Sequence, residues 1–158
     1  MTTANDPISA TAPGPARGET VEVLGNRVTF LIPAADTGAA FSAVEVATPP
    51  GAGAPPHVQS GDEEAFFVLE GRYEFRLGDR VVLQGPGAPI LVPRGLAHGF
   101  RNPGPGPARM LVLNWPGGPH EGFFKAVGDA AAVAGGRPDF GRRRGGHHAS
   151  RRAGARMT

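Results

Sequence analysis

The chain has 158 residues, 25 of them glycine and 17 proline, with no cysteine and a formal charge of +2. The length predicts one domain with room for tails, and the absence of cysteine excludes disulfides and a thiolate metal site. The excess of glycine and proline favours short strands and turns over a helix bundle.

The opening, 1–18, is Thr, Ala, Pro and Gly without periodicity and is expected to be disordered. It carries no positive n-region followed by an apolar run, so no secretory leader is expected and the cytoplasm is the expected compartment. The expected domain is 19–136. Within it, segments 20–24 and 27–32 flank Gly25-Asn26 and predict a hairpin. Segment 41–47 alternates apolar and polar residues before Pro49-Pro50. Segments 64–69, 72–77 and 80–83 are separated by the turn dipeptides Glu70-Gly71 and Gly78-Asp79, and 89–92, 97–101 and 108–115 complete the set. Strands this short and this closely spaced predict an all-β antiparallel sandwich or barrel. Only 121–134 reads as a helix, with Phe123, Phe124, Val127 and Ala131 on one face, expected to cap the strands or pack outside them. Exposed edge strands, 27–32 among them, point to a homodimer.

The segment 137–158 holds seven arginines and one acid for a charge of +6, which leaves −4 on the rest of the chain. The domain therefore shows no basic face, which argues against nucleic-acid binding by it. No stretch is apolar for long enough to span a membrane. The basic segment reads as a disordered, solvated tail in preference to an arm for anionic partners. His147 and His148 within it lack the orienting partners of a built metal site.

Two stretches carry chemistry. The first is Gly51-x5-His57-x-Gln59-x4-Glu64-x6-Gly71, and the second is Gly87-x5-Pro93-x-Gly95-x2-His98-x3-Asn102. Two imidazoles and a carboxylate brought together by neighbouring strands make a donor set for one divalent metal, associated with oxygen-activating iron(II) though accepted by other metals. A lone histidine in a strand is more often structural than a ligand, but the turn residues framing His57 and His98 reverse that balance. Gly51, Gly71, Gly87 and Gly95 fit turns with unusual backbone angles, Asn102 fits a loop tie, and Asp62 and Glu63 read as solvated loop acids. Phe66, Phe75, Phe100 and Trp115 are candidates to line a pocket for a flat aromatic ligand, although aromatic residues in such strands are more often core. Arg94 and Arg101 are expected outside that pocket.

The paired stretches resemble the two signature motifs of the cupin superfamily. The second matches at Gly87, Pro93, Gly95, His98 and Asn102; the first matches at Gly51, His57, Glu64 and Gly71, with Gln59 where the family usually has a second histidine. The surrounding text, EAFFVLEG, NWPGG and GFFKAVG, is similar to small single-domain bacterial cupins of the quercetin 2,3-dioxygenase-like group. The resemblance implies a cupin-type antiparallel β-barrel (a double-stranded β-helix or jelly roll) with a short C-terminal helix. It further implies one divalent metal ion (Fe, Mn, Ni, Co, Cu or Zn) on His57, Gln59, Glu64 and His98, and a dioxygenase acting on a flavonol-like or other enolisable aromatic substrate. In that reading the substrate hydroxyl binds the metal, Glu64 takes its proton, and dioxygen then reacts. An amide oxygen is a weaker, uncharged donor than imidazole, so Gln59 either completes a four-ligand site or swings away and leaves three. Some cupins that cyclise aromatic polyketides without redox chemistry also use glutamine in the site. A cyclase or isomerase with the metal as Lewis acid is therefore the main alternative, and a non-catalytic small-molecule-binding module is the third.

Overall fold

The computed structural model describes residues 18–133, with side chains for 18–127. The expectations of disorder for the opening segment and for 137–158 lie outside the described residues. Two antiparallel sheets face each other. The larger runs in the order β1 (Thr20–Val23), β2 (Asn26–Ile32), β3 (Ser42–Thr48), β10 (Ala108–Trp115), β5 (Glu63–Glu70), β8 (Ile90–Val92). The smaller is β4 (Gly53–His57), β9 (His98–Arg101), β6 (Tyr73–Leu77), β7 (Arg80–Gln84). From β4 onward the chain passes back and forth between the sheets, which is the jelly-roll arrangement, and one helix, α1 (Pro119–Val133), follows and packs on β1.

Alternation along the strands builds the core. On β10 the buried positions are Ala108, Met110, Val112 and Asn114, with half-buried or exposed residues between them. They meet Phe66 and Val68 of β5 and, across the sandwich, Tyr73 and Phe75 of β6. Burying each large apolar side chain contributes about 1.5–3 kcal/mol, and Phe66 stacks at a tilt on Phe75 with ring centroids 5.3 Å apart. Among the polar ties that cross the sandwich, the Tyr73 hydroxyl donates to Thr48 Oγ1 at 3.0 Å. Burial pushes that phenol up to about 12.

Four local expectations change. The first hairpin turns at Leu24-Gly25, both at positive φ, and Asn26 already opens β2 opposite Val23. Strand β4 carries no strand signal in the sequence, since Pro55-Pro56 removes two backbone donors; it forms because it lies at a sheet edge, where ladder donors are not needed on both sides. Strand β2 is not an edge: β1 covers it, and the edges are β1, β8, β4 and β7. The helix begins at Pro119, a favoured first helical residue, and Phe123 is 51% exposed and off the packing face, where Phe124 meets Phe30 edge-on at 6.5 Å. Among the described residues no helix is long and apolar enough to cross a membrane.

Candidate metal centre

Two cross-strand pairs build the site, one from each sheet. In the smaller sheet His57 of β4 lies directly opposite His98 of β9, with ring centroids 4.5 Å apart. In the larger sheet Glu64 of β5 lies directly opposite Asn114 of β10. The fold turns the pairs toward one another, and one ligand atom from each of His57, Glu64 and His98 falls within 4.8 Å of the others. The turn presenting His98 needs Gly95, whose φ is +79°, and Gly95 N–H donates to the Gln59 carbonyl at 2.7 Å, tying the second motif to the first. Gly99 allows β9 to approach β4, because a Cβ there would stand 2.7 Å from the Ala54 carbonyl oxygen. Asn102 ties its loop as expected: its side-chain amide donates to the Thr48 and Gly106 carbonyls at 2.9 Å and its oxygen accepts from Gly104 N–H.

The imidazoles are oriented in the same way. Nδ1–H of His57 donates to the Pro55 carbonyl at 3.0 Å, and Nδ1–H of His98 donates to the Leu96 carbonyl at 2.8 Å. Such a bond fixes the tautomer and leaves Nε2 with its lone pair for the site. His98 Nε2 then stands 2.6 Å from Glu64 Oε2. Two lone pairs at that distance repel unless a cation lies between them, either a proton on His98 or a metal. Metal–ligand bonds of about 2.0–2.2 Å place neighbouring donor atoms about 3–4.4 Å apart, so His98 and Glu64 would separate slightly, by small side-chain rotations, to take an ion between them. The donor set fits a divalent metal.

Without metal the proton takes that place. Burial pushes the Glu64 carboxyl up, but hydrogen bonds from His120 and His98, attraction to His120 and the Asn114 amide outweigh it and hold the group at about 2. Burial pulls His98 down, yet the bond to Glu64, the Leu96 carbonyl and the charges of Glu64 and Asp62 raise it.

The other oxygen of Glu64 has partners the sequence did not disclose. Glu64 Oε1 receives the Asn114 amide at 2.9 Å and lies 2.8 Å from His120 Nδ1. Asn114 gives its second hydrogen to Asp62 Oδ2 at 3.1 Å. Asp62 is only 3% exposed, so it belongs to this network and is not a solvated loop acid; burial raises its carboxyl despite His120 and Asn114. Glu63 is half-buried and pairs with Arg94 at 3.4 Å. The side-chain hydrogen-bond partner of Gln59 is His120, whose Nδ1 is 2.8 Å from Gln59 Nε2, and Gln59 Oε1 is buried without a partner. Asn114 was legible as a polar residue in the inward register of 108–115. His120 lies in the helix, outside both motifs, and carried no pattern of its own.

Phe66 and Phe100 line an apolar cavity of about 40 Å³ that reaches His57 and Glu64, and Phe124 and Phe123 close it from α1. Phe75 is buried in the core and Trp115 is half-buried at the end of β10; neither lines this cavity. A more open pocket of about 260 Å³ lies alongside, lined by Val58, Gln59 and Asp62, and shares His57, His120 and Phe123 with the inner cavity. Arg94 lines neither space, and Arg101 lines a separate groove on the smaller sheet.

Residues 44–114 match the cupin domain family model. Among solved structures, the chain is similar to the polyketide cyclase RemF from Streptomyces resistomycificus at 27% identity and a TM-score of 0.61, covering 70% of this chain and 82% of that one. An RmlC-like cupin from Shewanella frigidimarina matches at 16% identity and a TM-score of 0.60, covering 72% and 96%. KdgF from Halomonas sp. matches at 20% identity and a TM-score of 0.58, covering 65% and 92%. No curated protein matches the chain. Fold, motifs and family match agree that residues 44–114 have the form of a cupin domain.

Proposed function

We propose that the protein is a mononuclear metal-dependent cupin enzyme acting on an enolisable aromatic or polyketide-type substrate. The observation that carries this reading is the meeting of His57, Glu64 and His98 beside an apolar, phenylalanine-lined cavity. When bound, a divalent metal supplies Lewis acidity that favours ionisation of a coordinated hydroxyl or enol. The chain's own residues do the rest. His57 and His98 offer Nε2 with Nδ1 anchored, and Glu64 offers one anionic oxygen. Held ionised by its neighbours, Glu64 is ready to serve as a metal ligand. The inner cavity has room for a small molecule only, so a ring system would occupy the neighbouring pocket and reach the centre past His57.

Likeness to a polyketide cyclase supports cyclisation without oxygen as the reaction. The two-histidine, one-carboxylate set supports a second reading, a quercetinase-like dioxygenase, because that set leaves positions for both substrate and dioxygen. Turnover of a panel of polyketide and flavonol substrates by metal-loaded protein, with and without oxygen, tests the pair. Continued anaerobic turnover supports the cyclase, strict oxygen dependence supports the dioxygenase, and no turnover of any substrate despite full metal content would leave a binding module.

A further inference from the structure

We propose that a second copy of this chain covers the outer face of the larger sheet, so that the protein is a homodimer joined face to face there and not through a strand edge. Strands β5 (EEAFFVLE) and β10 (ARMLVLNW) carry apolar residues in both alternating sets. An antiparallel sheet with one wet face alternates apolar and polar residues, whereas near-continuous apolar runs belong to strands covered on both sides. Phe66, Val68, Met110 and Val112 fill the core. Phe67, Leu69, Leu111 and Leu113 alternate with them and therefore point outward.

The register joins these residues into a surface. Ile32, Ala43, Leu113, Ala65 and Leu91 lie opposite one another in turn, an unbroken apolar row across β2, β3, β10, β5 and β8. Leu111 and Phe67 extend it in the next row. Leu91 is 63% exposed, Leu69 45% and Ile32 38%. Five strands about 4.8 Å apart, each about seven residues long, give a footprint on the order of 600 Å2 per copy. Two copies would bury about 1,200 Å2, the lower end of the range for specific, stable interfaces. The row runs large, small, large, small, large, so a copy offset by one strand sets bulky side chains over alanines, as a self-complementary face requires. The charges on the face are already paired within one copy: Arg109 holds Glu45 at 3.2 Å and Glu70 at 3.0 Å, and Arg94 holds Glu63 at 3.4 Å. A second copy therefore meets no uncompensated charge of its own sign.

Other parts of the chain make poor cover. Among the described residues α1 packs on β1 and against the inward-facing Phe30. Segments 1–17 and 134–158 bring four large apolar side chains between them, Met1, Ile8, Phe140 and Met157. The outer face of the smaller sheet lacks this character, because Val81 and Leu83 stand there beside Glu74, Arg76 and Arg101.

Sedimentation of the full-length protein over a range of concentrations tests the proposal. Wild type should sediment at micromolar concentration as a dimer of 16.3 kDa chains. Leu111→Lys places a charge at the centre of the face, far from any strand edge. Leu91→Lys does so at an exposed position where the fold tolerates it. A substitution in a two-fold interface enters it twice, so each variant should raise the dimer Kd by about 100-fold or more with unchanged circular dichroism. Val81→Lys/Leu83→Lys, on the other sheet, should leave the dimer intact. A wild type that is monomeric up to submillimolar concentration would overturn the proposal and leave the face to another segment or another partner. A dimer that survives Leu91→Lys and a folded Leu111→Lys would also overturn it, as would one lost only in Val81→Lys/Leu83→Lys.

Discussion

His98 Nε2 and Glu64 Oε2 stand 2.6 Å apart, both almost fully buried, with His98 Nδ1 already committed to the Leu96 carbonyl. That contact requires a cation, and it makes the proton and the metal competitors for one place. Much of the behaviour expected of the protein follows from this competition.

Removing one member should therefore affect both metal content and stability. His98→Ala leaves Glu64 buried without its nearest partner, and breaking a buried pair on one side costs about 3–5 kcal/mol. The expected outcome is loss of bound metal by elemental analysis, together with a lower midpoint in urea for the metal-free variant. Full metal content in His98→Ala would show that the centre lies elsewhere.

The pH dependence has two arms. Glu64 is held at about 2 against an ordinary 4.5, so its stabilisation is complete above 4.5 and is lost as pH falls toward 2. His98 is raised above 6.5, so its stabilisation is complete below 6.5 and is lost as pH rises through the raised value. Metal-free protein should be most stable between about 4.5 and 6.5, and metal should raise the melting temperature more at pH 8 than at pH 6, because its competitor, the proton on His98, is then gone. Melting curves across pH with and without Zn2+ check both arms; a metal-induced rise that shrinks with increasing pH would contradict them.

How far the site was legible depended on how local each signal was. His57, Glu64 and His98 announced themselves through fixed spacings to glycine and proline, because turn geometry and ligand chemistry both act over short stretches. Strand alternation gave the core, and residues 108–115 came out as β10 to the residue. What stayed hidden was set by contacts between distant segments. Asp62 is acidic and precedes a strand, and nothing local says that Asn114, 52 residues later, buries it. His120 becomes part of the centre only because α1 docks over Phe30. Strand β4 was hidden by Pro55-Pro56, which sequence reasoning treats as a break, whereas an edge position tolerates it.

Asn114 and Tyr73 separate site support from fold support. The Asn114 amide serves two buried carboxylates, so Asn114→Leu strands both and should cost on the order of 3 kcal/mol, with weaker metal binding. The Tyr73 hydroxyl meets Thr48, which pairs with Ala108 at the end of β10 away from Asn114. Tyr73→Phe should therefore cost about 1 kcal/mol and leave metal affinity unchanged. Chemical denaturation and calorimetry on the two variants distinguish these outcomes, and a metal-affinity loss in Tyr73→Phe would mean the two ends of the sandwich are coupled.

Gln59→His offers the sharpest view of the reaction. The substitution restores the residue that the family motif usually carries, and imidazole is a better donor than an amide oxygen to the metals considered. It also removes the amide that meets His120 and fills a position whose oxygen is now buried without a partner. Metal affinity should rise. Under the cyclase reading, an added ligand takes up room and lowers the electrophilicity on which substrate ionisation depends, so turnover should fall while remaining independent of oxygen. Under the dioxygenase reading, turnover should stop in an anaerobic chamber for both wild type and variant, with one O2 consumed per substrate in air. Steady-state turnover of wild type and Gln59→His, each measured with and without oxygen, decides between them. Oxygen-independent turnover that rises in the variant would contradict both readings and would mean that Gln59 restrains the centre instead of tuning it.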